Sequence, residues 1–393
     1  MKSLLLTGLL FWTVLAGLAQ NPETIPSFAS HPKETGWYKT QSKLWEKRIT
    51  ENPKDVVAWQ NYFAANRILC AHDELDTRTQ AQKDAFMKEL VSRMGKEIPE
   101  SYEFNFCSWQ VGGNDMSNYH YLQKAIEINP DRTEHIDYMI NIGEIERNSS
   151  QRDEYSRRKY RAGKFSTGLL YYNYNVLQSV EPQSILISAG DNDTYPVWYL
   201  QSLGIQKDVY LLNLSLLQID SYREKVFREL GIPAIPEITD EKKFRTDIMN
   251  ALIHNKKKRP VYVALTASQC NGLLDQVNEQ TYLCGLAYRY SSEPMDNMAV
   301  LRNRFENHFT LDYVLHPFYS EMAEERIREV NRNYLVPMLK LYHHYRESGD
   351  QQKQEKIKEM ILAISRGTVD EKTTLDYLNK SEPRYHISFG CSQ

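Results

Sequence analysis

The stretch Ser184–Gln201, SILISAGDNDTYPVWYLQ, limits the possible folds more than any other part of the chain. Ile185-Leu186-Ile187 is a short apolar run rich in β-branched residues, and Ser188-Ala189-Gly190 ends it with small ones, which predicts a buried strand entering a tight turn. Asp191, Asn192, Asp193 and Thr194 are all helix-capping residues, and Pro196 follows close behind. Val197, Leu200 and Leu203 recur at helical spacing, and Gly204 supplies a stop. The order is therefore strand, polar turn, helix. In open α/β sheets such a turn sits at the carboxyl edge of the strand, where ligands usually bind.

The 393 residues suffice for two or three domains, and a formal net charge of −3 implies no surface for a polyanion, so nucleic acid is not an expected partner. Met1 to Ala19 has the form of a secretory signal: Lys2 is basic, the run from Leu4 to Leu15 is apolar, and Gly17-Leu18-Ala19 is small. That run is shorter than the roughly 20 residues a bilayer span needs. An exported, soluble product of the periplasm or extracellular space is expected, with no transmembrane segment in the mature chain. Five cysteines match no zinc spacing; in an oxidising compartment Cys270 with Cys284, flanking one connection between strands, is the pair open to a disulfide, and buried free thiols are the alternative.

Along the chain, residues 20–36 suggest a flexible leading segment, and 37–180 a domain of helical hairpins. Asn52-Pro53-Lys54-Asp55 and Glu127-Ile128-Asn129-Pro130-Asp131 both read as helix–turn–helix junctions of tetratricopeptide type. Arg152 to Arg161 is strongly charged, as a solvated helix face is. Residues 181–293 alternate short apolar runs with helices: the opening stretch, Val209–Leu212, Pro260–Leu265 and Tyr282–Tyr290 are taken as four strands. Residues 294–366 return to hairpins, with Leu335, Met338, Leu339 and Tyr342 facing Ile357, Met360, Ile361 and Ile364 across Gly349-Asp350. Residues 367–393 form a polar tail. The expected fold is α/β plus all-α: a small, mainly parallel, Rossmann-like sheet flanked by tetratricopeptide-like helical hairpins.

The chemistry centres on the polar turn. Two carboxylates one residue apart, Asp191 and Asp193, can hold a divalent cation, and hard oxygen ligands suit magnesium or manganese. With Asn192, Thr194 and Ser215 they form the candidate ligand site. The same order loosely resembles the first motif of haloacid-dehalogenase phosphatases, with Asp191 as nucleophile and Asp193 as general acid. The third strand, however, ends in Thr266-Ala267-Ser268 and supplies no acidic pair. A purely structural alternative stands beside these: Asp193 or Thr194 caps the helix, while Asp191 and Asn192 bond to turn amides. No metalloprotease, glycine-rich phosphate or nucleophile-elbow motif is present.

The phrases Gly190–Pro196 (GDNDTYP), Trp198–Gln201, Asp208-Val209, Asn213–Leu217 and Gly285–Arg289 carry a further resemblance. Over roughly residues 164–290 the chain resembles the soluble C-terminal part of a family of multi-spanning bacterial membrane proteins. The membrane half of that family is related to eukaryotic protein O-mannosyltransferases, and its soluble half carries tetratricopeptide-like helices. Because the spanning helices are missing, the resemblance implies an exported accessory module without the transferase activity. The sequence therefore points first to a non-catalytic binding or scaffold protein for a protein, peptide or glycan partner. The second reading is a cation-dependent enzyme acting on a phosphate- or sugar-containing substrate through Asp191 and Asp193.

Overall fold

The computed structural model describes residues 21–28, 31–113, 115–235, 240–316 and 324–379. The expected export signal, residues 1–19, lies outside them, as does the end of the expected tail from residue 380. The described residues are mostly helical, with one five-stranded sheet. The chain divides into two compact units between His135 and Ile136.

The first unit contains α1 (Thr35–Glu51), α2 (Val56–His72), α3 (Gln80–Glu97), α4 (Tyr102–Val111) and α5 (Tyr119–Ile128). Asn52 leaves α1 in an extended conformation, and Pro53 cannot continue the helix. Asp55 then caps α2, its Oδ1 accepting the Ala58 N–H at 3.0 Å. The expected hairpin thus forms at this junction, and Trp45, Ile49, Trp59, Phe63, Leu90 and Met94 fill the core of the unit. Residues 21–28 are anchored rather than loose. The Glu23 N–H donates to Gln41 at 2.7 Å, the Ile25 N–H donates to Asn61 at 2.8 Å, and the Trp45 indole donates to the Glu23 carbonyl at 2.9 Å.

The second unit opens with α6 (Ile136–Ile145), α7 (Ser149–Arg161) and α8 (Thr167–Gln178). Its sheet contains β1 (Ile185–Ser188), β2 (Tyr210–Asn213), β3 (Val261–Ala264), β4 (Thr281–Leu283) and β5 (Ala287–Tyr290). Between the strands lie α9 (Asp191–Ser202), α10 (Asp220–Leu230), α11 (Glu241–Ile253) and the single turn α12 (Leu265–Ser268). After the sheet come α13 (Asn297–Asn307), α14 (Asp312–Leu315), α15 (Glu324–Asn331), α16 (Leu335–Ser348), α17 (Gln351–Ser365) and α18 (Glu371–Asn379).

The sheet is mixed, with order β2-β1-β3-β5-β4. β1 runs parallel to β2 and β3, while β5 is antiparallel to both β3 and β4. The expectation of a mainly parallel sheet is corrected by one residue. Gly285 turns the chain at φ +112°, a conformation closed to ordinary side chains, and a Cβ there would lie 2.5 Å from the Ser179 hydroxyl. Tyr282–Tyr290, expected as one strand, is therefore an antiparallel hairpin. Every residue of β1 and β3 is buried, as strands covered on both faces require.

The division at residue 135 also differs from the boundary expected near 180. Apolar periodicity changes where the strands begin, but the helices that cover the sheet come earlier in the chain. α6 carries buried Ile136, Ile140 and Ile145 into the sheet core. Its Glu144, only 1% exposed, is held by Arg147, by Arg152 at 2.7 Å and by the Tyr222 hydroxyl of α10 at 2.8 Å. A buried carboxylate is tolerated only when paired in this way. The charged run of α7 is thus not simply solvated. α16 and α17 form the expected C-terminal hairpin, with Gly349 left-handed at φ 74° and Asp350 capping α17. Residues 371–379, expected as loose tail, are the helix α18, with Thr374, Tyr377 and Leu378 buried.

Cys270 and Cys284 are both buried thiols and are not joined to each other, which matches the alternative to the disulfide. Burial pushes the Cys284 thiol up to about 11, so it is not ionised at neutral pH.

Candidate functional site

The chain leaves β1, runs through α9 to β2 on one side, and later returns past β1 to β3 on the other. The switch in direction places the β1–α9 turn and the end of β3 side by side, the position at which open α/β sheets bind ligands. Here that position is occupied by the chain's own carboxylate. Asp193, the third residue of α9, is 4% exposed. Its Oδ1 accepts the Gly190 N–H at 2.7 Å, and its Oδ2 accepts the Ala189 N–H at 3.0 Å and the Thr266 hydroxyl at 2.5 Å. This is the reciprocal half of a capping box, with Gly190 as the cap residue. Burial pushes the Asp193 carboxyl above its ordinary value, and the Thr266 hydroxyl and the two amides pull it back.

Thr194 lies deeper, at 1% exposed. Its hydroxyl is 2.7 Å from that of Ser188 and accepts from the Asn213 amide at 2.9 Å, while Asn213 Oδ1 accepts the Leu216 N–H at 3.0 Å. Thr194 therefore ties the ends of β1 and β2 together. Asn192 takes part through its backbone. Pro196 has no N–H to offer the carbonyl four residues back, and the Asn173 side chain of α8 donates to that Asn192 carbonyl instead, at 2.8 Å.

The candidates from the sequence thus separate. Asp193 and Thr194 join an internal lattice with Ser188, Asn213 and Thr266, while Asp191 and Ser215 are exposed. The Ser215 hydroxyl reaches the Ala189 carbonyl only at 3.4 Å. Asp191 and Asp193 occupy opposite environments, and Asp193 already accepts from the Ala189 and Gly190 amides and the Thr266 hydroxyl, with a longer contact from Thr194, which poorly suits a shared magnesium or manganese ion. Among the described residues, no group of three or more histidine, cysteine, aspartate or glutamate side chains is placed to hold a metal ion. The sequence reading missed Asn173, Asn213 and Thr266. Thr266 left a signal as a hydroxyl at the end of the neighbouring strand, and Asn213 as the first residue of the Asn213–Leu217 phrase.

The first unit has a separate groove of about 390 Å³ between α3, α4 and α5. Val91, Phe104, Val111 and Tyr121 line it, with Lys88 at its edge.

The turn lies inside a stretch that matches a family model. Residues 171–247 match TMEM260-associated domain 2. The match begins in α8, takes in β1, α9, β2 and α10, and ends within α11. It fits a TMEM260-like family, which is related to O-mannosyltransferases. No curated protein and no solved structure matches the chain. Among the described residues, no helix is long and apolar enough to cross a membrane.

Proposed function

We propose that this chain is an exported, non-catalytic binding or scaffold protein of the periplasm or extracellular space, serving a cell-envelope or glycan-related assembly. The observation that carries this reading is the closed turn. At a working phosphate or cation site the amides after the first strand and the nearby carboxylates face the ligand. Here the Ala189 and Gly190 amides are already satisfied by Asp193. The enzyme alternative, a cation at Asp191 and Asp193, requires Asp193 to give up its donors and leave two half-buried N–H groups unpaired. Each such loss costs about 1–3 kcal/mol.

In this reading the parallel β2-β1-β3 core is a Rossmann-like remnant used as a platform, and the helical hairpins are tetratricopeptide-like elements that present grooves. The groove beside Phe104 and Tyr121 supports a protein or peptide partner. The TMEM260-like stretch, with its GDNDTYP phrase, supports kinship with the soluble part of a bacterial, membrane-spanning transferase family.

Calorimetric titration of the purified protein with manganese and magnesium tests the reading. The parent and the Asp191→Ala/Asp193→Ala variant should both give no saturable heat. Saturable binding by the parent that is lost in a folded variant would favour the cation-dependent enzyme.

A further inference from the structure

The face shared by α7 and α9 carries a second arrangement that the closed turn does not use. Tyr160 is an exposed ring, 51% accessible, on an otherwise charged helix. It stacks on Tyr199 at 4.6 Å and 13°, and Phe165 leans on Tyr199 at 5.3 Å. One face of the Tyr160 ring is therefore covered and the other meets water. A solvated tyrosine loses more by such display than a polar residue would, and the stack behind it fixes the ring's orientation.

One turn towards the start of α9 the surface becomes polar. The Lys159 ammonium lies 4.4 Å over the Tyr195 ring and 2.6 Å from the Asp137 carboxylate. The Tyr195 hydroxyl is bonded to Asn141 and lies in the field of both Asp191 and Asp137. Asp191 and Tyr195 stand one turn apart on α9, so their side chains share a face. Asp191 is exposed, and the Asp137 side chain is 45% exposed. An aromatic ledge therefore runs into a cluster of hydroxyl and hydrogen-bond-accepting groups. Asp137, Asp191 and Glu154 stand there against Lys159, Arg157 and Arg161, so the charges of the face offset one another and favour no strongly charged ligand.

We propose that the α7–α9 face is a binding site for a neutral oligosaccharide, with one sugar ring stacked on the open face of Tyr160 and the next units hydrogen-bonded through their hydroxyls to Asp137, Asn141 and Asp191. The ring C–H bonds of a sugar carry slight positive charge and lie well on an aromatic face, whereas carboxylates accept its hydroxyl protons. From residue 191 to residue 199 the helix rises about 12 Å, room for two or three sugar units. The site rests on the reading of this chain as a binding protein, and names its ligand class.

An array of neutral and acidic glycans, together with a panel of unmodified peptides, is probed with the whole protein, and the best ligand is then titrated calorimetrically. The expected result is saturable binding of a neutral glycan that weakens at least about tenfold in Tyr160→Ala, weakens in Asp191→Asn, and survives in Tyr160→Phe. Tyr160→Ala also removes the stack on Tyr199 and should lower the melting temperature slightly, so an unchanged far-ultraviolet circular dichroism spectrum, together with retained binding in Tyr160→Phe, shows that the loss reports the site and not unfolding. Binding of no neutral glycan, binding of acidic glycans or peptides in its place that is lost in Tyr160→Ala, or indifference of glycan binding to Tyr160→Ala would overturn the site. Cleavage or transfer of the bound sugar would instead contradict the non-catalytic reading and leave the site standing.

Discussion

At the scale of single residues, the chemistry of the turn is decided by where two aspartates point. Asp191 and Asp193 look equivalent in the sequence, yet one faces water and the other is folded back on its own strand–helix turn. Thr266 is the residue that binds Asp193 to the neighbouring strand, at 2.5 Å. A hydrogen bond to a charged group contributes about 1.5–3 kcal/mol. Thr266→Val, nearly isosteric, should therefore lower the unfolding free energy by about that amount in urea titration; an unchanged midpoint would show that the bond contributes nothing. The pH dependence follows from the raised Asp193 carboxyl. A native carboxyl that titrates above its unfolded value of 3.8 binds its proton before the unfolded chain does as pH falls. Its contribution to stability is fully present below that value and is lost as pH rises through the native one. The stability of the parent relative to Asp193→Asn should thus rise as the medium is acidified from neutrality towards about pH 4. A difference that stays flat with pH, measured by urea unfolding, would remove the argument for a desolvated carboxyl.

At the scale of elements, α9 was legible in outline and opaque in its support. Its apolar strand, small-residue turn and capping residues are all local signals, and each lies within a few positions of the next. Its proline is local too, but the remedy for the missing N–H is not, since Asn173 lies on a different helix, 19 positions from the Asn192 carbonyl it serves. Thr266 is 73 positions from Asp193, and no periodicity could have paired them. The hairpin of β4 and β5 was misread for a similar reason. Gly285 marks a possible break, but its need for a positive φ comes from the close approach of Ser179, a contact invisible in one dimension. The domain boundary failed because apolar period reports the type of an element and not which core it covers. The role of Asn173 can be isolated by a double-mutant cycle. Asn173→Ala alone should cost about 1–3 kcal/mol by leaving the Asn192 carbonyl unpaired. In a Pro196→Ala background, where residue 196 regains its N–H, the cost should shrink. Equal costs in both backgrounds would show that the proline and Asn173 are not linked.

At the scale of the whole molecule, a mixed sheet in the second unit positions a turn of the kind that binds ligands, and the sequence closes that turn from within. In the proposed reading, binding falls to the α7–α9 face of the second unit and, separately, to the α3–α5 groove of the first. The closed turn is the central claim, and the Ala189 and Gly190 amide protons report on it directly. Amide exchange and chemical shifts of these two groups can be followed by relaxation-optimised NMR while pyrophosphate and magnesium are added. The account predicts two protected amides whose signals do not move. Saturable shifts at both, with release of the Asp193 carboxyl, would show that the turn opens to a phosphate-bearing ligand and would contradict it.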